Sequence, residues 1–404
     1  MITKTDIFVA GGGIAGLAAA IAMGDAGFRV ICVDPVAPIT NADAPGVDLR
    51  TTAYLQPAQA FLERIGVWGQ IGDHTAALQT MRIADASGDQ IISKDFDASD
   101  ISDHPFGWNV GNWTMRGALL QRMAQLPNIS FQPGVGVQGV VTRTDHAVLH
   151  LTDGTQIRAR LLIAADGRDS LIRTRLGIAT KRQDFGQDAL TFAVTHPLPH
   201  NNISTEVHKT GGPFTLIPLP DHGGQPCSAV VWMDNTAHTA ARLAMPPDEF
   251  NTMITDRSAG VLGPLRLASH RSAWPIITQL AQQFYGERTA IVAEAAHVAP
   301  PIGAQGLNMS LADIETITTL ATTHRNDPGA LPLLQQYHDI RRPDVALRMR
   351  GIWALNHISK SSNPLTNRLR ATGVDAIHSI TPLRQHMMRM GLFAQKPDHT
   401  RPIE

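Results

Sequence analysis

The chain has 404 residues, of which 43% are hydrophobic and 17% are charged, and its formal net charge is −1. This composition is typical of one large or two closely joined folded domains, excludes extensive disorder and provides no field to attract nucleic acid. The two cysteines, Cys32 and Cys227, are far apart, so they indicate neither a zinc site nor a disulfide framework, and a reducing cytoplasm is expected.

The first 34 residues predict a β–turn–α–β unit. Short apolar segments at 6–10 and 28–33 favour strands, and the alanine-rich segment 17–26 between them favours a helix. The uncharged stretch 7–24 also has the composition of a signal peptide. Asp6 precedes this stretch and glycines interrupt it, so the sequence favours a folded unit.

The turn before the predicted helix carries the spacing GxGxxG. Its first glycine permits a tight turn, the second lets a pyrophosphate approach the backbone, and the third allows the helix to pack closely on the strand. The helix N-terminus offers free N–H groups to phosphates, and an acid after the second strand can accept ribose hydroxyls. The motif suits NAD and FAD equally. The predicted contacts are Gly11, Gly13, Ile14, Ala15, Gly16 and Asp34.

The segments after residue 34 predict a mixture of helices and strands. Helices are predicted at 56–66 and 114–126, a β-rich stretch at 135–151, and a buried strand at 161–165. Short strands such as 190–194, 214–218 and 228–233 predict a separate antiparallel sheet between about residues 180 and 280. A strand at 289–293, a glycine-rich loop at 300–308, a helix at 311–323 and a helical region from 331 to about 390 complete the pattern.

Two distant segments decide between NAD and FAD. Residues 165–173 read ADGRDSLIR, and residues 293–308 read AEAAHVAPPIGAQGLN, with Asp313 following. In this order after GxGxxG, the chain resembles the single-component FAD-dependent aromatic monooxygenases. Within these it is most similar to the ubiquinone-biosynthesis hydroxylases, which include the 2-polyprenyl-phenol and polyprenyl-methoxyphenol hydroxylases. Further matching segments are DLRTTA at 48–53, the pairs Gly263-Pro264 and Trp274-Pro275, and YHDIRRPD at 337–344.

The resemblance implies an α/β fold with interleaved domains. A Rossmann-like FAD-binding domain would comprise residues 1–180 and 281–340, and an antiparallel β-sheet substrate domain residues 181–280. A basic helical C-terminal segment at 341–396 has ten Lys/Arg against two Asp/Glu, interleaved with apolar residues. That composition is typical of helices that lie on an anionic membrane surface or dock on a partner. An amphipathic lid with solvated charges would have the same composition.

The resemblance also assigns cofactor contacts beyond the glycine turn. It implies Asp166 and Gly167 near the pyrophosphate, Arg50 and Arg116 near the flavin and phosphates, and the backbone of Val137 near adenine. The alternatives are an Asp-Gly turn, solvated arginines and a core valine. In the 300–308 loop, backbone N–H groups would approach the flavin ring, and the following helix would stabilise negative charge there. The implied contacts in this loop are Pro301, Gly303, Gly306, Leu307 and Asn308.

The chain departs from the family pattern at Ala293 and Glu294, where the family has Gly-Asp. The family aspartate binds a ribityl hydroxyl, and Glu294 offers the same acceptor on one more methylene. Ala293 adds a methyl group at a crowded point, so the sequence leaves open whether FAD binding is weakened. His297 is expected to hold the loop by a hydrogen bond rather than to act as a general base. No catalytic acid or base and no metal site is predicted.

The implied reaction is hydroxylation of the ring of a polyprenylated phenol by a C4a-hydroperoxyflavin formed from reduced FAD and O₂. Transiently bound NAD(P)H or another reductant would supply electrons, since a second glycine motif of this kind is absent from the sequence. Two alternatives stay open: a flavin hydroxylase of a soluble aromatic substrate, and a weakly flavinated scaffold of the ubiquinone-biosynthesis complex. The expected location is the cytoplasm, with peripheral contact on the inner face of the membrane.

Overall fold

The computed structural model describes residues 2–88, 90–209, 212–360 and 378–392. The strands, numbered in chain order, are β1 Ile2–Ala10, β2 Val30–Asp34, β3 Thr51–Leu55, β4 Thr75–Leu78, β5 Thr80–Asp85, β6 Ile92–Asp97, β7 Gly107–Gly111, β8 Ile129–Pro133, β9 Val137–Arg143, β10 His146–Leu151, β11 Gln156–Ala164, β12 Thr180–Thr195, β13 Ile203–His208, β14 Phe214–His222, β15 Gln225–Asn235, β16 Arg266–Leu267, β17 Ser272–Ala281, β18 Tyr285–Gly286, β19 Thr289–Ile291 and β20 His297–Val298. The α-helices are α1 Ile14–Asp25, α2 Gln56–Arg64, α3 Asn112–Met123, α4 Leu171–Arg175, α5 Thr236–Ala244, α6 Pro247–Arg257, α7 Gln305–Thr323, α8 Leu331–Lys360 and α9 Thr381–Leu392.

The first sheet contains the predicted β–turn–α–β unit. Its strand order is β18-β19-β11-β1-β2-β8, and β9 and β10 extend it from β11 as an antiparallel hairpin. β1 runs parallel to β2 and β11, β19 runs parallel to β11, and β8 runs parallel to β2. The carboxyl ends of β2, β1, β11 and β19 therefore meet at one edge, as in the Rossmann-like domain that the sequence predicted.

α1 lies against this sheet because it is apolar on nearly every side. Ile14 and residues 16–24 are buried. The helix begins at Ile14, earlier than predicted, because Gly13 is extended (φ −70°, ψ 173°) and leads directly into it. α3 and α7 pack on α1, and α8 packs on α7. The main core of the protein lies between these helices and β1, β2 and β11.

The second sheet has nine strands in the order β20-β17-β12-β15-β14-β13-β5-β6, with β16 beside β12. It is antiparallel except where β5 runs parallel to β13. Its strands β5 and β6 come from residues 80–97, so the sheet also draws on chain outside the 181–280 segment. β12 spans 16 residues and is much longer than the predicted strand at 190–194, because it pairs with β15 along one part and β17 along nearly all of it.

Two helices, α5 and α6, lie within the segment that the sequence pattern predicted to be all strands. α6 buries Phe250 and Ile254, which pack with Leu190, Phe192 and Trp232 of the second sheet. The expectation of strands alone was wrong because the Pro-Pro pair before α6 indicates a turn in sequence. Proline is also favoured at the first position of a helix, and that is its role here.

A small third sheet, β3-β7-β4, joins the two larger sheets. β3 and β4 run antiparallel to β7, and β14 of the second sheet packs on β4 and β7. Across this junction, Asn109 Nδ2 donates to Pro218 O at 2.9 Å. The segment just before β3, which contains Asp48 and Arg50, is therefore held beside the second sheet.

The C-terminal helices are described up to residue 360 and again at 378–392; the other parts of the 341–396 segment lie outside the described residues. α8 buries Tyr337 and Val345. α9 packs Met388 against Leu55 and neighbouring aromatic side chains. Within the described ranges, no helix has both the length and the apolar character needed to cross a membrane.

Candidate functional site

Four strands of the first sheet end side by side, and each is followed by residues that the sequence predicted as cofactor contacts. Asp34 ends β2, and the turn with Gly11 and Gly13 follows β1. Asp166 follows β11, and Glu294 follows β19. Ligands of open α/β sheets bind outside the carboxyl ends of the strands. The fold thus brings to one edge residues that are far apart in sequence.

In the glycine turn, neighbouring backbone atoms leave no room for a side chain at two of the motif glycines, and the third faces open space. A Cβ on Gly11 would lie 2.2 Å from the Ala165 carbonyl oxygen, and a Cβ on Gly16 would lie 1.9 Å from the Gly11 carbonyl oxygen. Both positions therefore require glycine. No atom lies within 4 Å of the Cβ position of Gly13, so the turn is open there. The first residues of α1 follow directly, with N–H groups that have no partner within the helix.

Asp34 is hydrogen bonded to the glycine turn. Its Oδ2 accepts from the Gly12 N–H at 2.5 Å, and its Oδ1 accepts from the Val36 N–H at 2.8 Å. Gly12 is not one of the motif glycines and was not predicted as a site residue, although a Cβ there would lie 2.7 Å from the Asp34 Cβ. The N–H groups of residues 134 and 135 donate to the Asp34 carbonyl, which brings Val137 to the same strand end.

Asp166 binds the first turn of α4. Its Oδ1 accepts from the Ser170 hydroxyl at 2.6 Å, and its Oδ2 accepts from the Ile172 N–H at 3.1 Å. Gly167 is left-handed, with φ +85°, and no atom lies within 4 Å of its Cβ position. The Asp-Gly turn therefore exists and leaves open space at Gly167, while a cofactor contact at either residue stays a prediction.

Arg50 and Arg116 converge on one carboxylate, Asp48. Arg50 donates its Nε and Nη2 to the two Asp48 oxygens at 2.7 and 2.9 Å, and Arg116 donates its Nη2 at 3.2 Å. Asn112 Nδ2 donates to the same carboxylate at 2.9 Å. Burial opposes ionisation of Asp48, but Arg50 outweighs burial and holds the pKa of Asp48 below its usual range. Both arginines are therefore anchored, unlike the solvated arginines considered as the alternative.

Arg50 also contacts the second sheet. Its guanidinium lies over the ring of Trp274 on β17, 3.9 Å from the ring centroid. Burial disfavours the charged guanidinium, but Asp48 and Glu294 raise the pKa of Arg50 above its ordinary value. Arg50 is thus surrounded by groups from three separate parts of the chain. A contact with Trp274 was not predicted, since the sequence offers no local signal for it.

Ala293 and Glu294 depart from the family pattern and have unusual surroundings. Ala293 has φ +56°, the left-handed region that favours glycine, and begins the short 3-10 helix Ala293–Ala295. Glu294 accepts from Arg168 Nε at 3.1 Å through Oε2 and from Arg168 Nη2 at 3.3 Å through Oε1. Arg168 belongs to the ADGRDSLIR segment but was not predicted as a site residue. Ribityl binding by Glu294 stays a prediction.

The 300–308 loop ends earlier than predicted. α7 begins at Gln305, not at Leu311, because Gly303 (φ +62°) and Ala304 (φ +54°) are both left-handed and turn the chain into the helix. The residues predicted to lie in a loop at 306–308 are therefore in the first turn of α7. No atom lies within 4 Å of the Cβ position of Gly306, and Pro301 is exposed.

Asn308 connects α7 to the third sheet. Its Oδ1 accepts from the Leu55 N–H at 2.9 Å, and its Nδ2 donates to the Ala53 carbonyl at 2.8 Å. The polar side-chain atoms of Asn308, a predicted cofactor contact, are thus already hydrogen bonded to the backbone of β3. Leu307 beside it packs against the main core. A cofactor contact of Asn308 would therefore involve its backbone.

Hydrogen bonds from buried and half-buried side chains fasten both ends of the 300–308 loop. His297 Nε2 lies 2.7 Å from Asp313 Oδ2, and Arg341 Nε donates to the other oxygen of Asp313 at 2.7 Å. Burial opposes ionisation of Asp313, but His297 and Arg341 hold its pKa below the usual range. Arg348 on α8 donates to Gln305 Oε1 at 3.3 Å at the other end of the loop. His297 therefore has the holding contact that the sequence predicted.

The open positions of the site fit a bound dinucleotide. Gly13, Gly167 and Gly306 each have open space where a Cβ would stand, and they follow β1, follow β11 and begin α7, respectively. Helix N-termini and glycine backbones are suited to phosphates and to a flat ring. Among the described residues, no group of three or more His, Cys, Asp or Glu side chains could hold a metal ion. The open glycine positions and the start of α7 are therefore those of a nucleotide site.

Comparisons with known proteins agree with this geometry. Residues 4–350 match the family described as an FAD binding domain. The ubiquinone hydroxylase UbiL of Rhodospirillum rubrum is 28% identical over 401 residues, which cover 98% of this chain and 92% of that protein. The ubiquinone hydroxylase UbiM of Neisseria meningitidis is 27% identical over 343 residues, which cover 83% of this chain and 73% of that protein.

A solved structure shows the same fold. The p-nitrophenol 4-monooxygenase PnpA from Pseudomonas putida DLL-E4 has a TM-score of 0.80 at 18% identity, with 98% of this chain and 100% of that chain covered. The relatives confirm the predicted resemblance to ubiquinone hydroxylases, and the family match confirms FAD as the cofactor. The chain therefore belongs to the FAD-binding domain family and is an FAD-dependent monooxygenase.

Proposed function

We propose that this enzyme hydroxylates the aromatic ring of a polyprenylated phenol in ubiquinone biosynthesis. The observation that carries the proposal is an apolar wall on the second sheet. Its residues Phe185, Ala189, Met233 and Ile276 are buried and pack with Ile302 of the 300–308 loop. An uncharged wall beside the flavin loop suits an apolar ring. The relatives that are named ubiquinone hydroxylases support this choice of substrate.

The open edge of the first sheet supports a specific placement of FAD. The pyrophosphate would lie over Gly13 and the α1 N-terminus, the adenosine ribose at Asp34, and the flavin ring at the start of α7. The two arginines on Asp48 would lie near the flavin and phosphates. The residues proposed to hold FAD are Gly11, Gly13, Ile14, Ala15, Gly16, Asp34, Arg50, Arg116, Val137, Asp166, Gly167, Glu294, Pro301, Gly303, Gly306, Leu307 and Asn308.

When bound and reduced, FAD would supply the chemistry that activates O₂, so that one oxygen atom enters the ring and the other leaves as water. The residues of the chain hold the ring, exclude water and stabilise charge. The apolar wall around Met233 excludes water from one side of the ring. The N-terminus of α7 favours negative charge at the flavin. NAD(P)H, or another reductant, would bind transiently to deliver electrons.

We further propose that α8 and α9 make peripheral contact with an anionic membrane, where a polyprenylated substrate resides. Leu347 and Leu355 on α8 and Leu383 and Met387 on α9 are exposed, and arginines lie near them in sequence. Exposed apolar side chains with basic neighbours suit a phosphatidylglycerol surface. Flotation with such vesicles tests this: Leu383→Glu should reduce binding, whereas Leu198→Glu, at an exposed leucine in the turn between β12 and β13, should not.

A second candidate function is a weakly flavinated scaffold within the ubiquinone-biosynthesis complex. The left-handed Ala293 and the pairing of Glu294 with Arg168 favour it, because both lie where FAD would bind. The absorption spectrum of the purified protein distinguishes the two candidates. A stoichiometric flavin band supports the hydroxylase, and a protein without bound flavin that still assembles with other biosynthetic proteins supports the scaffold.

The decisive experiment is the quinone profile of a strain that lacks this protein. The hydroxylase proposal predicts accumulation of an unhydroxylated polyprenyl-phenol and loss of ubiquinone. Complementation with the wild type should restore the quinone, and the Gly13→Val variant should not. Unchanged quinone levels would overturn the proposal of a polyprenylated substrate and favour a soluble aromatic substrate instead.

A further inference from the structure

Among the described residues, four buried polar side-chain atoms on the strands of the second sheet lack hydrogen-bond partners within the protein: Gln187 Oε1 on β12, Trp232 Nε1 on β15, Trp274 Nε1 on β17 and His297 Nδ1 on β20. The ring of His297 already contacts Asp313 through its other nitrogen. Trp232 shares a face with Leu190, and the guanidinium of Arg242 lies over its ring. The other two atoms are the carbonyl oxygen of Gln187 and the indole N–H of Trp274. Gln187 is only 5% exposed. Buried polar groups in folded proteins are nearly always satisfied, so an acceptor and a donor left over together require an explanation.

The strand register places these two side chains on one face of the sheet. Ala189 on β12 pairs directly with Trp274 on one side and with Met233 on the other, and Gln187 precedes Ala189 by two positions. Residues two apart in a strand point to the same face, and directly paired residues share a face. Gln187 and Trp274 are therefore diagonal neighbours on the face that carries Met233.

The opposite face of the sheet is covered by helices. Asp188 alternates with Gln187 along β12 and pairs with Asp234, whose carboxylate accepts from Arg242 of α5 at 2.6 Å. Gln187 and Trp274 thus point away from α5. An irregularity in the β12–β17 pairing between Asp184 and Asp188 includes the left-handed Gly186, with φ +62°. Such bulges redirect side chains, often beside active sites.

The face with the two unpaired atoms is the one that meets the flavin-binding side of the molecule. Ile302 of the 300–308 loop packs against the cluster that contains Ala189 and Met233 on this face. Arg50, which is anchored by Asp48, lies over the Trp274 ring. The unpaired donor and acceptor are therefore set in the apolar wall that we assigned to the substrate ring.

We propose that Gln187 and Trp274 bind the oxygen substituents of the substrate ring, an inference that rests on the proposed function. Gln187 Oε1 accepts a hydrogen bond from a phenolic O–H, and Trp274 Nε1–H donates to a ring oxygen. An acceptor on the phenolic O–H raises the electron density of the ring, which favours attack on an electrophilic oxygen. Both side chains act as positioning and specificity-determining groups, since neither takes up a proton.

The test compares two soluble probes, 2-prenylphenol and its methyl ether, which lacks the O–H donor. Binding is measured as the perturbation of the flavin spectrum of the FAD-loaded enzyme. The wild type should bind the phenol about tenfold more tightly than the ether, as expected for one hydrogen bond in a dry site. Gln187→Leu should reduce this preference to about twofold or less, because its acceptor is gone.

Trp274→Phe provides a different signature. This variant keeps a ring beneath Arg50 but removes the donor. It should therefore weaken the binding of the phenol and of the ether by similar factors, about fivefold each. The matched control is Gln183→Leu, on the same strand, where the side chain accepts from Trp353 Nε1 instead of being unpaired. The control should keep the preference of the wild type for the phenol.

Thermal unfolding separates this role from a structural one. Each variant removes an unpaired buried polar atom, so the proposal predicts unfolding temperatures at or above that of the wild type. A lowered unfolding temperature with an unchanged phenol preference in Gln187→Leu would overturn the inference and leave the proposed function intact. If the flavin-loaded wild type bound neither probe, both the inference and the proposed function would be overturned.

Discussion

The carboxylate of Asp48 holds the guanidinium of Arg50 by two hydrogen bonds, of 2.7 and 2.9 Å. This paired geometry fixes the plane of the guanidinium, which lies over the Trp274 ring. Asp48 therefore sets the position of a cation at the junction between the first and second sheets. Arg116 on α3 shares the same carboxylate. Loss of the charge on Asp48 should affect both arginines at once.

Asp48→Asn preserves the size of this side chain but removes its charge. We expect the free energy of unfolding to fall by about 2–3 kcal/mol, because two arginines lose a charged partner in a largely buried site. Urea denaturation of the FAD-free protein measures the change. Asp95→Asn is the control, since the Arg82–Asp95 pair is more exposed, and it should cost no more than about 1 kcal/mol. Equal losses in both variants would contradict a special role for Asp48.

The same carboxylate should make stability depend on pH in the acid range. Its pKa is lower in the folded protein than its ordinary value of 3.8. Its contribution is therefore present above that value and is lost as the pH falls through the lowered pKa of the folded state. As the pH falls below about 4, the wild type should lose more stability than Asp48→Asn. If the free energy of unfolding changed with pH in the same way for the wild type and Asp48→Asn, the titrating group would be one other than Asp48.

Local patterns in the sequence were sufficient to predict the glycine turn and the element order around it. Gly11, Gly13 and Gly16 encode their geometry within six positions. The start of α7 was predicted too late because a glycine at position 306 is typical of a loop. The left-handed backbone of Gly303 and Ala304 determines where the helix begins. Such backbone angles at a non-glycine residue leave no mark in the sequence.

Gly13→Val tests the open side of the glycine turn. Gly13 is extended, so valine can adopt its backbone angles, and its side chain would fill the space proposed for the pyrophosphate. We expect the flavin-to-protein absorbance ratio of the purified variant to fall at least about tenfold, with a loss of no more than about 1 kcal/mol in the stability of the FAD-free protein. Full flavin content in Gly13→Val would contradict the placement of the pyrophosphate at this turn.

Gly16→Ala is the matched control for that prediction. A Cβ on Gly16 would lie 1.9 Å from the Gly11 carbonyl oxygen, so the backbone itself must shift. This variant should destabilise the protein even without FAD. The pair of variants thus distinguishes loss of ligand space from loss of fold, and Gly13→Val with the same instability as Gly16→Ala would contradict the open turn.

Ala293→Gly should stabilise the protein, although glycine usually weakens a buried segment. At φ +56° alanine bears a strain of about 1–2 kcal/mol, which exceeds the entropy cost of glycine, so a net gain of about 1 kcal/mol is expected. Urea denaturation measures it. Ala296→Gly is the control, because Ala296 is right-handed at φ −92°, and it should lose about 1 kcal/mol. A loss in both variants would mean that the strain at Ala293 is absent.

Contacts between distant segments account for most of what the sequence could not predict. Arg168 and Glu294 follow neighbouring parallel strands, β11 and β19, and this adjacency makes them partners. Arg50 and Trp274 meet only because the third sheet lies against the second. Hydrophobic periodicity identifies strands, but it does not specify which strands become neighbours, so these pairs were missed while each segment was recognised.

The Arg168–Glu294 pair distinguishes two roles for Glu294 in FAD binding. If Arg168 neutralises Glu294, Arg168→Gln leaves an unpaired carboxylate beside the phosphate site, and the Kd for FAD should rise about tenfold. Glu294→Gln should then bind FAD as well as the wild type does, and the double variant should recover most of the loss, with a coupling of about 1 kcal/mol. Quenching of flavin fluorescence measures each Kd.

In the alternative role, Glu294 is the acceptor of a ribityl hydroxyl that the family pattern implies. In that role, the order of the FAD Kd values among the wild type, the two single variants and the double variant should differ. Glu294→Gln alone would weaken FAD binding, and the double variant would be weaker than either single variant, because two independent contacts would be lost. Both Glu294 oxygens accept from Arg168, so a ribityl contact would have to share a carboxylate that already has a partner. The order of these four FAD Kd values therefore assigns the role of Glu294.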